Sequence, residues 1–188
     1  MDSGAFTLRE MTGTSGLEAS LRRAVEVLAH WDIPHLVAGG VAVQEHGYYR
    51  VTLDVDIIVP DVQEAVEFLT ADLSGPFVRY DGLEDTVQDR NNSVLVNFLP
   101  AGKAFGKKCT VLFPNPEKVS DKPQFISLEQ LIALKLDSWV NSPTRRLKDK
   151  SDVIELIKLL KLPRDIAINK SVSQLYVEAW DALQADPE

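Results

Sequence analysis

Two short groups of residues have the types and spacing that chemistry on phosphates requires. Gly39-Gly40 lies between an apolar run and a helical pattern, and Asp54-Val55-Asp56 lies in the next alternating segment. A double glycine lets the backbone approach a ligand closely, and the start of the following helix offers N–H groups suited to a phosphate. Asp54 and Asp56 are two positions apart, so on a strand both carboxylates project from the same face. The two groups together indicate phosphoryl or nucleotidyl transfer.

The paired carboxylates are hard oxygen ligands of the kind that Mg²⁺ takes in proteins. Such a site typically uses one or two carboxylates and completes the metal shell with water and substrate phosphate. We therefore expect Asp54 and Asp56 to hold Mg²⁺, or Mn²⁺ in its place. Each group alone has a plainer explanation, since most double glycines are turns and most Asp-x-Asp strands are solvent-facing edges. The prediction depends on finding both groups at this spacing.

The elements that must position these groups form a mixed front followed by a helical back. Helical periodicity predicts helices at 16–31, 41–49, 61–73, 127–140, 151–160 and 171–183. Alternating or short apolar runs predict strands at 35–38, 53–59, 77–80, 93–99 and 109–113. The pattern predicts an α+β fold in which a small mixed sheet with helices is followed by a C-terminal helical segment. We divide it into a loose N-terminus (1–15), an α/β core (16–115) and a C-terminal helical region (116–188).

Composition excludes several classes of protein. The chain has 188 residues, 45% of them hydrophobic, and one cysteine, Cys109, which cannot form an intramolecular disulfide. Its apolar windows, around 35–43 and 53–60, are too short or too interrupted by charge for a membrane span. The first residues lack the basic and apolar parts of a signal peptide. We therefore expect a soluble, cytoplasmic protein with no membrane partner.

The charge balance bears on possible partners. There are 28 acidic and 20 basic residues, which argues against coating nucleic acid through bulk charge. The cations are nevertheless clustered, at Lys103–Lys108 and at Arg145–Lys150, while much of the acid lies between Asp54 and Asp89. An acidic centre facing basic clusters is what a metal-dependent enzyme acting on phosphates needs, although a solvated surface is the commoner reason for such runs.

The front motif resembles that of a known superfamily. Ala38-Gly39-Gly40, a gap of thirteen residues and Asp54-Val55-Asp56-Ile57 match the motif of the nucleotidyltransferases typified by DNA polymerase beta. His46-Gly47, Arg50 and Thr52 add the His-Gly and Arg-x-Thr-x-Asp-x-Asp pattern of one branch. That branch resembles the AbiEii-type toxins and other small bacterial nucleotidyltransferases.

The back half extends the resemblance to roughly residues 20–160. Ile126–Leu131, Lys135, the run Arg146-Leu147-Lys148-Asp149 and Asp152 look like the helical block of the same branch. The resemblance implies that Lys135 gives a positive charge to a phosphate, and that Arg146 and Lys148 belong to the nucleotide-binding residues. The alternative for Lys135 is that its aliphatic stem lies along an amphipathic helix while its ammonium group extends into solvent.

The resemblance also implies roles for the front residues. Asp54 and Asp56 would hold Mg²⁺ against a nucleoside triphosphate, and Gly39 and Gly40 would bind the triphosphate through the backbone. Two further nucleotide-site candidates, Arg50 and Thr52, would orient phosphate or the aspartate strand, with Thr52 mainly structural.

The sequence departs from the family pattern at the third carboxylate. Asn97 lies on the predicted strand 93–99, where that residue is expected, and we count it among the nucleotide-site candidates. An amide can ligate weakly through oxygen but cannot act as a base. Asp149 or Asp152 is the candidate replacement. The alternative is that both only pair with Arg146 and Lys148 at the surface.

The implied function is transfer of a nucleoside monophosphate from an NTP such as ATP to a hydroxyl of a protein, a tRNA or other RNA end, or a small molecule, with release of pyrophosphate. Asn97 motivates the alternative of a catalytically impaired nucleotide-binding protein. The resemblance adds that of an interaction subunit with a partner protein in a toxin–antitoxin pair.

Overall fold

The computed structural model describes residues 14–185, which form six helices and five strands. The helices are α1 (Thr14–His30), α2 (Gly39–Glu45), α3 (Val62–Thr70), α4 (Leu128–Asn141), α5 (Leu147–Leu160) and α6 (Ser173–Ala185). The strands are β1 (Leu36–Ala38), β2 (Asp54–Val59), β3 (Phe77–Arg79), β4 (Thr86–Asp89) and β5 (Leu95–Pro100). The predicted α+β fold is confirmed. Of the predicted loose N-terminus, residues 1–13 lie outside the described part, and Thr14 and Ser15 already belong to α1.

The strands form one mixed sheet in the order β1-β2-β5-β4-β3. β2 and β5 are parallel, and the other three pairings are antiparallel. β2 and β5 can run parallel because the crossover between them passes through α3 and the β3-β4 hairpin. The outer side of β1 is covered, since Val37 donates its N–H to the Gln124 carbonyl at 2.6 Å. The two central strands can therefore present fixed side chains to either face of the sheet.

One face of the sheet is a buried apolar core. Val55, Ile57 and Val59 on β2 pack with Val96 and Phe98 on β5, and all five are fully buried. The same core includes apolar residues of α1 and α3, among them Leu21, Val25, Leu28, Ala65 and Leu69. Because side chains alternate along a strand, Asp54, Asp56 and Asn97 must project from the opposite face.

A buried carboxylate ties α1 to the end of β4. Asp89 is completely buried and accepts hydrogen bonds from the Ser20 hydroxyl at 2.7 Å and the Asn91 N–H at 2.9 Å. It also forms a salt bridge with Arg23. Burial alone raises the pKa of Asp89, but the Arg23 guanidinium and the hydrogen bonds outweigh it, so the pKa lies below its ordinary value. The ionised carboxylate therefore stabilises this part of the fold.

The chain divides into two compact units that alternate along the sequence. Of the described residues, the first unit holds 14–41, Arg50–Ala101 and Asn115–Phe125. The second holds Ala42–Tyr49, Gly102–Pro114 and 126–185. The sheet with α1 and α3 belongs to the first unit, and α4, α5 and α6 belong to the second. Within residues 14–185, no helix is both long and apolar enough to cross a membrane.

The predicted strand at 109–113 is wrong. In the described chain its pairing is limited to one isolated bridge, between Leu112 and Ala104, and to the backbone hydrogen bonds of Phe113 with Gly102 and Lys103. The backbone N–H groups of Thr110 and Val111 instead donate to the buried carboxylate of Asp137 on α4, at 2.8 and 3.0 Å. For Thr110 and Val111, a side chain thus takes the hydrogen bonds that a neighbouring strand would have supplied.

Two other differences from the predicted elements affect the site. Strand β4 was not predicted, because its four residues Thr86–Asp89 are flanked by acidic and amide residues that indicate loop. Helix α5 begins at Leu147, four residues before the predicted start at Ser151, so Lys148 and Asp149 lie in its first turn.

Candidate functional site

The two aspartates of the motif lie side by side at the start of β2. Both are half-buried, and the intervening Val55 is fully buried in the core. The Thr52 hydroxyl, also buried, donates to Oδ1 of Asp54 at 3.3 Å. The mainly structural role of Thr52 stays a prediction. Because side chains alternate along β2, the carboxylate pair lies on the opposite face from the buried apolar core.

Asn97 lies directly across from Asp56 on the neighbouring parallel strand. Its amide nitrogen donates to Oδ2 of Asp54 at 3.3 Å and to Oδ1 of Asp56 at 3.1 Å. Two carboxylates this close repel each other, and a donor shared between them offsets part of the repulsion. The residue in the expected third position therefore contacts both members of the pair.

The double glycine is packed against the same residues. Gly39 has a φ of +60°, and a Cβ at that position would overlap the Asp56 carboxylate. A Cβ on Gly40 would overlap the Thr52 side chain and would lie 3.2 Å from Nη1 of Arg50. These contacts require glycine at both positions whether or not a ligand is bound. Backbone binding of a triphosphate by Gly39 and Gly40 stays a prediction.

Thr86 is a member of the site that the sequence did not reveal. Its buried hydroxyl lies 3.1 Å from Oδ1 of Asn97 and 3.1 Å from Oδ1 of Asp85. The register of β4 against β5 pairs Thr86 with Asn97. A sequence signal was present in the Thr-Val pair, since both residues are β-branched, but the strand is only four residues long.

Arg50 is half-buried beside this group. Its guanidinium Nη1 donates to the Val51 carbonyl at 3.1 Å. The arginine is thus held close to Gly40 and Thr52. A cation at this place is compatible with the predicted role in orienting phosphate, which stays a prediction.

The residues present fit a hard divalent cation. Asp54 and Asp56 supply two carboxylates on one face, and Asn97 adds an amide that can offer an oxygen. No group of three or more His, Cys, Asp or Glu side chains able to hold a metal occurs within residues 14–185. Two carboxylates are nevertheless as many as Mg²⁺ usually takes when substrate phosphate completes its shell.

The predicted residues of the back half form a second cluster, within the second unit. The ammonium group of Lys135 lies 2.9 Å from Oδ1 of Asp149 and 2.6 Å from Oδ2 of Asp152. All three side chains are largely buried, with exposed fractions of 6%, 14% and 1%. Lys135 therefore does not extend into solvent along its helix. Both carboxylates therefore contact the same buried ammonium group.

Arg146 and Lys148 lie at the edge of this cluster. The Arg146 guanidinium is 3.9 Å from Oδ2 of Asp149 and stacks over the ring of Phe105 at 4.3 Å. Lys148 is exposed in the first turn of α5. The structure thus describes the predicted site residues as two sets. The first unit holds Gly39, Gly40, Arg50, Thr52, Asp54, Asp56 and Asn97, and the second holds Lys135, Arg146, Lys148, Asp149 and Asp152.

Comparison with known proteins bears on the fold. No protein-family model matches the sequence, and no curated protein matches it significantly.

The crystal structure of ANT(2'')-Ia in complex with adenylyl-2''-tobramycin is similar to this chain, with a TM-score of 0.50 and 12% identity over 87% of this chain and 96% of that one. A solution structure of the antibiotic-resistance factor ANT(2'')-Ia has a TM-score of 0.48 and 15% identity, covering 98% of this chain and 95% of that one. A complex of CCA-adding enzyme with CTP has a TM-score of 0.43 and 19% identity, covering 87% of this chain and 42% of that one. At these identities the likeness, carried by the crystal structure of ANT(2'')-Ia, shows the fold alone: the chain shares the α+β fold of that structure.

Proposed function

We propose that this protein is a metal-dependent nucleotidyltransferase that moves a nucleoside monophosphate from an NTP to a hydroxyl group and releases pyrophosphate. The observation that carries the proposal is the pair of carboxylates, Asp54 and Asp56, held on one face of β2 against Gly39-Gly40. The shared fold supports it, since ANT(2'')-Ia has been crystallised with adenylyl-2''-tobramycin, in which an adenylyl group is attached to the antibiotic.

In this proposal Asp54 and Asp56 hold Mg²⁺ or Mn²⁺. The metal supplies neutralisation of the charge that develops on the triphosphate oxygens. Thr52 keeps the carboxylate of Asp54 in position through its hydroxyl, at 3.3 Å. Val55 and the core beneath it keep the strand from shifting, so the two carboxylates keep their spacing.

The acceptor hydroxyl must lose a proton, and Asn97 cannot take it, because an amide is not a base. Asp149 and Asp152 remain the proposed replacements for the third carboxylate. Their ion pairs with Lys135 favour a second proposal for them, in which they position the lysine. Lys135, Arg146 and Lys148 are proposed to bind phosphate groups of the nucleotide.

Transfer from NTPs labelled in the α-phosphate tests the function. The full chain would be incubated with each NTP, Mg²⁺ or Mn²⁺, and protein, tRNA or small-molecule acceptors. We expect metal-dependent labelling of one acceptor class and its loss in Asp56→Asn. Asp61→Asn is the matched control, since Asp61 only caps α3 with hydrogen bonds to Gln63 and Glu64. Absence of transfer, or equal transfer by Asp56→Asn, contradicts the proposal.

Asn97 favours a second candidate function, a nucleotide-binding protein with little or no turnover. Loss of a general base typically lowers rates by about 10²–10⁴-fold. Under this alternative, NTP and metal raise the melting temperature without turnover, and Asn97→Asp creates or increases transfer. Turnover by the wild-type chain at rates usual for enzymes would contradict it.

A further inference from the structure

The orientation of the Asn97 amide is suited to the metal-free site. Its NH₂ group faces both carboxylates, at 3.3 Å from Asp54 and 3.1 Å from Asp56. The hydrogens of an amide nitrogen carry positive charge and the nitrogen offers no lone pair to a metal. A cation bound by the same carboxylate oxygens would therefore face the NH₂ group, which cannot coordinate it, instead of the amide oxygen.

The other end of the amide meets a hydroxyl with two acceptors. Oγ1 of Thr86 lies 3.1 Å from Oδ1 of Asn97 and 3.1 Å from Oδ1 of Asp85. A hydroxyl has one hydrogen to donate but can also accept. Thr86 can therefore donate to only one of the two oxygens at a time, and it has an arrangement available for each.

We propose that the side-chain amide of Asn97 turns over when Asp54 and Asp56 bind a divalent cation, so that its Oδ1 and Nδ2 exchange places. The Thr86 hydroxyl, which contacts the amide in both arrangements, is the pivot of this turn. The inference rests on the proposed function, because it assumes that the carboxylate pair holds a metal. In the metal-free arrangement Thr86 donates to Asn97. After the turn, Oδ1 of Asn97 faces the metal, Nδ2 donates to the Thr86 oxygen, and Thr86 donates to Asp85.

The amide oxygen and nitrogen of Asn97 and the Thr86 hydroxyl each have a partner in both arrangements. The amide oxygen exchanges the Thr86 hydrogen for the metal, and the amide nitrogen exchanges the carboxylates for the Thr86 oxygen. The oxygen and the NH₂ group of an amide are similar in size, and rotation about this bond has a broad, roughly two-fold profile. The turn thus needs no repacking of the buried strands around it.

The proposal makes Thr86 a positioning residue with a measurable contribution. The turned arrangement contains two hydrogen bonds of the Thr86 hydroxyl, and the metal-free arrangement contains one. Thr86→Val removes the hydroxyl at nearly constant shape, so it costs the metal-bound state one hydrogen bond more than the free state. A net hydrogen bond of usual strength corresponds to Mn²⁺ binding that is about two- to tenfold weaker.

Two measurements on the 188-residue chain test the turn. The first is Mn²⁺ affinity, from the electron paramagnetic resonance signal of free Mn²⁺, for the wild type, Asp56→Asn, Thr86→Val and Thr86→Ser. Thr86→Ser keeps the hydroxyl and should bind like the wild type. The second is nuclear magnetic resonance of the Asn97 side-chain NH₂ in the wild type, in which Mg²⁺ should bring the NH₂ protons into contact with the protons of Thr86.

The outcomes separate this inference from the function on which it rests. If the wild type binds no Mn²⁺, or if Asp56→Asn binds it equally well, both the proposed function and the turn are overturned. If the wild type binds Mn²⁺ through Asp56 but Thr86→Val binds it equally well, or the Asn97 NH₂ contacts stay unchanged in saturating Mg²⁺, the turn alone is overturned. Should Thr86→Val fail to fold, the resonance measurement on the wild type still decides.

Discussion

At the scale of single residues, the two carboxylates of the site share neutral hydrogen-bond donors. Thr52 and Asn97 both donate hydrogen bonds to Asp54, and Asn97 also donates to Asp56. The Arg50 guanidinium is half-buried beside this group, 3.2 Å from the Cβ position of Gly40. Binding of a divalent cation by the pair stays a prediction.

The close contact between Gly39 and Asp56 predicts a strong effect of adding one methyl group. In Gly39→Ala the new Cβ would overlap the carboxylate, and the positive φ costs a further 1–2 kcal/mol, as an order of magnitude. Gly82→Ala is the matched control, because Gly82 also has a positive φ, +84°, but nothing lies within 4 Å of its Cβ position. Urea unfolding should give a larger loss in the free energy of unfolding for Gly39→Ala. Equal losses would contradict the packing described.

Asp89 predicts a pH dependence of stability. Because its pKa is lowered in the folded state, the contribution is complete above the unfolded value of about 3.9 and is lost as the pH falls through the lower folded value. Asp89→Asn should lower the free energy of unfolding at pH 7 by about 1–3 kcal/mol. The difference from the wild type should shrink below about pH 4.

A control for Asp89 is available at the surface. Asp181 pairs with Arg164 at 2.7 Å, and both side chains are about half exposed. Because solvent screens such pairs, Asp181→Asn should change stability much less than Asp89→Asn. A difference between wild type and Asp89→Asn that stays constant from pH 7 to pH 3 would show that ionisation of Asp89 does not stabilise the fold.

At the scale of elements, the sequence predicted what depends on local periodicity. The alternation of residues 53–59 predicts a strand with both aspartates on one face, and the structure has them there on β2. Strand 93–99 predicts Asn97 near the pair, and the parallel register places it opposite Asp56. Thr86 was missed because β4 is too short to have a period and is recognised only by its pairing with β5.

Hydrogen bonds between distant residues account for the wrong strand. The N–H groups of Thr110 and Val111 bind the Asp137 carboxylate, which is 26 to 27 residues away in the sequence. The apolar run at 109–113 carries no sign of this partner. The pairing of Lys135 with Asp149 and Asp152 was equally hidden, because the same charges could pair with Arg146 and Lys148.

The Asp137 contact predicts the local stability of the segment that it holds. Asp137→Ala removes the acceptor of two backbone N–H groups, so the amides of Thr110 and Val111 should exchange with solvent much faster. Thr110→Ala is the control, because it removes the hydroxyl that lies 3.3 Å from Asp137 but keeps both backbone bonds. Hydrogen exchange measured by amide checks this. Unchanged protection in Asp137→Ala would contradict the role given to the carboxylate.

The Lys135 cluster predicts a large loss of stability when its cation is removed. Lys135→Met leaves Asp149 and Asp152 as buried carboxylates without their main partner, which costs about 3–5 kcal/mol in comparable pairs. Urea unfolding measures the loss, and adding Asp149→Asn and Asp152→Asn to Lys135→Met should recover part of it. A loss no larger than that of Arg164→Met, at the exposed pair, would contradict the cluster.

At the scale of the whole molecule, net charge is a poor guide to the site. The chain carries a net charge of -8, which argues against bulk binding of polyanions. The charges that matter are local: a carboxylate pair in the first unit and the Lys135 cluster in the second. Their spacing along the sequence indicated a phosphate-handling enzyme where the total charge did not.

Metal-dependent binding of an NTP tests the central claim most directly, because it requires no knowledge of the acceptor. Isothermal titration of a non-hydrolysable ATP analogue, and of analogues of the other NTPs, would be carried out with Mg²⁺ and with EDTA. The variants would be the wild type, Asp54→Asn combined with Asp56→Asn, and Asp61→Asn as the control. We predict binding of at least one analogue by the wild type and Asp61→Asn with Mg²⁺, and its loss with EDTA or in the double variant. Binding that is unchanged in the double variant, or no binding of any analogue by the wild type, would contradict the account.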